Sequence, residues 1–193
     1  MTRHIYTQFF TLQFIGIIIG VILVTLHVMA LLKRESVMDY LKQLPRNKSL
    51  GIAILAIDCV WSFWLIGEVD LGEFQKWERP IRFGLPLGFI CFIFWVDEFL
   101  AVRAVGIFLL LLACPLLDVA FLQEPKTRIL LPILCYIWIF LSLFWIGMPY
   151  LMRDHIAWAT KTKGRWTSLS VSGIAYGFAM IVCAFAFWGS DKS

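Results

Sequence analysis

The stretch FFTLQFIGIIIGVILVTLHVMALL, residues 9–32, contains no Asp, Glu, Lys or Arg. About 20 such residues in a helix cross the ~30 Å hydrocarbon core of a bilayer. In lipid no water is available to the backbone, so each amide must find its partner inside the segment, and a helix does this locally. The run exceeds the ~7–15 apolar residues of a secretory signal core, and no A-x-A site follows. It is expected to persist as a first transmembrane helix.

Six segments of this kind occur, at 9–32, 50–67, 81–96, 99–122, 129–151 and 168–188. The chain is 61% hydrophobic and 16% charged, against about 25% charged in a soluble domain. The expectation is an all-α integral membrane protein, residues 1–193 forming one transmembrane domain as a six-helix bundle. Segment 81–96 is the weak member. It is short and meets 99–122 across only Asp97 and Glu98, with no Gly or Pro to turn the chain. Pro80 suits the first position of its helix, with Arg82 snorkelling outward. The alternative is five spans, with 81–96 re-entrant. Charge separates the two: six spans put ten of the 17 Lys and Arg on one face and seven on the other, whereas five spans divide them nine to eight. The positive-inside rule therefore favours six spans with both termini outside the cytoplasm.

Two connections are amphipathic. In KRESVMDYLKQLPRNK (33–48), Val37, Tyr40, Leu41 and Leu44 follow helical spacing. Ser36 and Asp39 resemble a weakened capping box, and Pro45 stops the turn. Five basic residues there point to a helix lying on the cytoplasmic membrane surface. In EVDLGEFQKWERP (68–80), Leu71, Phe74 and Trp77 can rest on the opposite interface, although Gly72 weakens a helix.

Three segments hold a GxxxG: Gly16–Gly20, Gly84–Gly88 and Gly173–Gly177. Missing side chains four residues apart let helix backbones approach closely. Such faces serve internal packing, a membrane-protein partner or a second copy equally well. No internal repeat accompanies them, so an inverted-repeat transporter is not supported.

Ionisable groups inside a span are costly, and each is a functional hypothesis until its depth is weighed. Arg103 lies near one end of the fourth span, within snorkelling reach, with Asp97 and Glu98 close by. Asp118 lies near the other end, an outer-interface ion-pair candidate for Lys126, Arg128 or Arg79. Asp58 is at mid-span, too short to reach either surface. It must be protonated, hydrogen-bonded or wetted. If the first two spans are antiparallel neighbours, His27 comes within about one helical turn of it in depth, and Arg103 starts from the same side. Asp58, His27 and Arg103 are therefore an expected polar cluster, either an interhelical link or a proton- or ion-handling site.

Enzyme signatures are absent. His27 is the only histidine within a span, so no bis-His haem pair forms. Asp58 and Asp118 differ in depth, unlike the facing pair of an intramembrane aspartyl protease. No GxSxG, Walker A or HExxH occurs. Asp154 and His155 adjoin each other, but a solvated loop accounts for them better than a metal pair does. Cys59, Cys91, Cys114, Cys135 and Cys183 lie in apolar runs without a CxxC, which suits small buried hydrophobes rather than a disulfide or zinc framework. No metal or cofactor is expected, and the net charge of +4 suits anionic lipid headgroups rather than nucleic acid. The leading expectation is a non-enzymatic membrane subunit or assembly partner in a bacterial-type cytoplasmic membrane. The alternatives are a small transporter or proton-coupled channel centred on Asp58, and an enzyme acting on lipid or quinone.

Overall fold

The structure is a computed structural model describing residues 10–68, 71–95, 99–121 and 123–189. Its regular structure is entirely helical among those residues: α1 (Leu12–Leu32), α2 (Arg34–Gln43), α3 (Lys48–Glu68), α4 (Glu78–Trp95), α5 (Leu100–Ala120), α6 (Leu130–Gly147), α7 (Tyr150–Thr160) and α8 (Lys163–Ala186). Helices α1, α3, α5, α6 (with the 3-10 turn before it) and α8 are each long and apolar enough to cross a membrane. The fold is an all-α bundle. Helix α4 has 18 residues and carries Glu78, Arg79 and Arg82 near its start.

Helix directions follow from the contacts. Trp166 at the start of α8 donates its indole N–H to the Ala30 carbonyl at the end of α1, over 2.8 Å. Gly16 of α1 faces Trp188, just beyond the end of α8, so the two run antiparallel. Helices α5 and α6 are also antiparallel, Gly106 lying against Ile146 and the Ser142 carbonyl. By contrast α3 and α5 are parallel. Gly51 meets the backbone of Leu100 and Ala101, and further along Trp61 meets Phe108 edge-on, ring centroids 6.1 Å apart. Between them α4 runs back along α3. Gly67 lies beside the Arg82 guanidinium, and nearer the other end Leu55 packs with Phe89 and Phe92.

The main core joins α1, α5, α6 and α8 through Leu12, Ile19, Leu116, Leu131, Cys135 and Met180 among others. A smaller one, around Leu55, Leu100 and Ala104, joins α3 and α5 to α4. Indole groups tie the bundle at both ends, since Trp188 donates to the Thr127 hydroxyl over 2.9 Å opposite the Trp166 bond. This suits an amphipathic ring whose polar edge sits where lipid meets water.

The connections differ from expectation in detail. Helix α2 starts at Arg34 with Lys33 as an N-cap that makes no side-chain bond, so Ser36 is not the cap. Helix α4 begins at Glu78, placing Pro80 within its first turn rather than at its first position. Proline is tolerated there because the first N–H groups have no intrahelical acceptor. Residues 72–77 form a 3-10 turn entered through Gly72 at φ +56°, a left-handed conformation glycine adopts without a Cβ clash. The fifth apolar segment ends at Gly147, four residues early. The chain turns at Pro149 into α7, which covers the expected loop around Asp154 and His155. The Asp97–Glu98 turn lies outside the described residues.

Candidate functional site

Asp58 is the eleventh of the 21 residues of α3, ten from either end. At 1.5 Å per residue that is about 15 Å of helix on each side. It continues the stripe of Gly51 and Leu55 that packs on α5, because i, i+4 and i+7 share a helix face. The residue is fully buried, and no described residue hydrogen-bonds to either carboxyl oxygen.

The expected cluster does not assemble. His27 bonds through Nδ1 to the Leu23 carbonyl over 2.7 Å, and its ring packs against Gly173 of α8. Arg103 donates from Nε to the Ile146 carbonyl over 3.3 Å. That carbonyl is among the last four of α6, which lack intrahelical donors and carry the negative end of the helix dipole. A cation therefore belongs there on structural grounds. The cluster required α1 to flank α3, but α1 packs against α8 and more lightly against α5. Asp118 sits half-buried in the last turn of α5, at the end of the bundle shared with Lys126 and Arg128.

Two glycine pairs face each other. A Cβ on Gly20 would lie 2.8 Å from the Gly177 carbonyl oxygen, and one on Gly177 would lie 2.9 Å from that of Gly20. Gly16 and Gly173 complete the same α1–α8 contact, against Trp188 and His27. Gly84 and Gly88 are different, since a Cβ on either meets nothing within 4 Å. Instead they line an open apolar groove of about 490 Å³ with Leu55, Ile81, Phe89 and Ile107. The groove wall contains no ionisable side chain.

Sequence reasoning missed the close approaches at Gly51 and Gly106, which stand outside any GxxxG, and the buried Ser142, whose hydroxyl has no partner among the described residues. Their signal is weak, a lone small residue in an apolar helix. Asp154 pairs with its neighbour Arg153 at 3.4 Å, and His155 Nδ1 lies 3.3 Å from the Trp145 indole nitrogen. Among the described residues no group of three or more His, Cys, Asp or Glu could hold a metal ion. Cys91 and Cys114 are exposed on the bundle surface rather than buried, while Cys135 is in the core. No protein-family model, curated protein or solved structure matches the chain.

Proposed function

We propose that this chain is a non-catalytic membrane subunit, a six-crossing bundle that assembles with another transmembrane helix through the Gly84–Gly88 face of α4 and the groove it borders. The supporting observation is α4 itself. It contributes no buried residue, and its Gly84–Gly88 face borders an open groove while the other two glycine pairs are used up between α1 and α8. In lipid, apolar contact alone gives helices little reason to associate, and close backbone approach supplies the packing that does. The connections between the long helices are too short to hold a soluble catalytic domain.

The parallel α3 and α5 support the sixth crossing, because a chain joining two parallel spans must return between them, and α4 runs in the returning direction. Eighteen residues give about 27 Å of helix, close to the ~30 Å required. The ten-to-seven bias of basic residues supports both termini on the non-cytoplasmic face of a bacterial-type cytoplasmic membrane.

The test is the mass of the assembly extracted in native membrane discs, for the parent and for Gly84→Leu/Gly88→Leu. The parent is expected to be larger than one chain, and the variant to fold normally yet fall to single-chain mass. A parent of single-chain mass, or a variant assembly of unchanged mass, overturns the reading.

A further inference from the structure

We propose that Asp58 is a proton-binding site, held in the α3–α5 interface as the neutral carboxylic acid and exchanging its proton only when α3 parts from α5. This rests on Asp58 and its surroundings, independently of the α4 face.

A carboxyl at mid-membrane has three resting states: paired, wetted or protonated. Pairing needs a donor, yet no described residue bonds to either oxygen. The cations that could have served are engaged elsewhere. Arg103 is on the Ile146 carbonyl, and the Arg82 guanidinium lies 4.5 Å from the centre of the Phe63 ring, near the far end of α3. His27 sits between α1 and α8. The titratable or charged groups on the elements packed here are Lys48, Cys59 and Glu68 on α3 itself, Arg103, Cys114 and Asp118 on α5, and Glu78, Arg79, Arg82 and Cys91 on α4. None is a hydrogen-bond partner of Asp58.

Wetting needs a path. Asp58 is 0% exposed, and the groove on the α4 side reaches Leu55, one turn away, without including Asp58. An isolated carboxylate in apolar surroundings is far costlier than the neutral acid, so such a group neutralises instead. The carboxyl therefore keeps its proton. Ionisation calls for water at both oxygens, and water reaches them only if the Gly51–Ala101 and Trp61–Phe108 contacts on either side give way. The proton thus favours the closed α3–α5 arrangement, as any ligand favours the state that binds it better.

The test uses the full chain in lipid nanodiscs at neutral pH. The infrared spectrum should carry the carbonyl band of a protonated, weakly hydrogen-bonded carboxyl, absent from Asp58→Asn. A lipid-soluble carbodiimide, which takes the acid's proton as the carboxyl oxygen adds to its central carbon, should modify Asp58 only as α3 and α5 part, and a membrane-impermeant one should not. A third arm uses Trp61→Cys/Phe108→Cys on an otherwise cysteine-free background, its two thiols joined by a short cross-linker. After an alkaline jump, that link should slow loss of the band at least tenfold. No band difference between parent and a normally folded Asp58→Asn overturns the neutral acid, as does labelling by the impermeant reagent. If Asp58→Asn fails to fold, labelling of the parent decides. An unchanged exchange rate in the cross-linked protein overturns the requirement that α3 and α5 part.

Discussion

Replacing Gly20 by Ala tests the α1–α8 contact against an internal control, the same change at Gly84. A Cβ on Gly20 would sit 2.6 Å from Ile181 Cγ1 and 2.8 Å from the Gly177 carbonyl oxygen. Relaxed carbon contacts lie at about 3.5–4.0 Å, so the methyl group is roughly 1 Å too close. Ile181 can rotate, but the carbonyl belongs to the facing backbone and yields only if the helices separate. Overpacking of this kind costs about 1–3 kcal/mol. Alanine also improves helix propensity by up to about 1 kcal/mol. That gain applies equally at Gly84, where a Cβ meets nothing within 4 Å, so the difference between the variants isolates packing. Gly20→Ala should be less stable than Gly84→Ala by about 1–3 kcal/mol, roughly five- to 150-fold in the unfolding equilibrium. Titration of SDS into mixed micelles of the single chain, followed by the fluorescence of the nine tryptophans, measures this. Equal stability of the two variants would refute the packing argument.

Three further outcomes are expected. Trp166→Phe removes the N–H that meets the Ala30 carbonyl and leaves a smaller ring in a buried site; the same titration should show a loss of at least about 0.5–1.5 kcal/mol. Arg103→Met should cost about 1 kcal/mol by freeing the Ile146 carbonyl, and amide exchange in the last turn of α6 should quicken with it. Gly72→Ala should destabilise by about 1 kcal/mol, because φ +56° places a Cβ against the backbone; calorimetry in detergent checks it.

The all-helical bundle was legible because lipid removes the alternatives for an uncharged run such as 9–32. Helix ends were less so. Apolarity stops at residue 168, but α8 begins at Lys163, where Thr162 Oγ1 accepts from the Arg165 N–H. Helix α7 was read as a loop because Pro149 looked like a stop. Its Met152, Ile156 and Ala159 spacing was present, but too short to stand out. The His27–Asp58 link failed for a reason also present in the sequence. Gly16, Gly20 and His27 share one face of α1, so whichever helix takes the glycines takes the histidine, and that helix is α8. Which helix takes them is a tertiary matter that no spacing within α1 encodes.

The proposed crossing of α4 would make six spans and would turn the exposed Gly84–Gly88 face toward lipid. The single variants Phe74→Cys and Trp95→Cys, at exposed positions flanking the apolar part of α4, test it on an otherwise cysteine-free background with a membrane-impermeant thiol reagent. Sealed vesicles of one orientation should label at one position only, and inverted vesicles at the other. Labelling of both positions from the same side, in vesicles shown to be intact, would mean that α4 enters and leaves by one face and would contradict the six-crossing account.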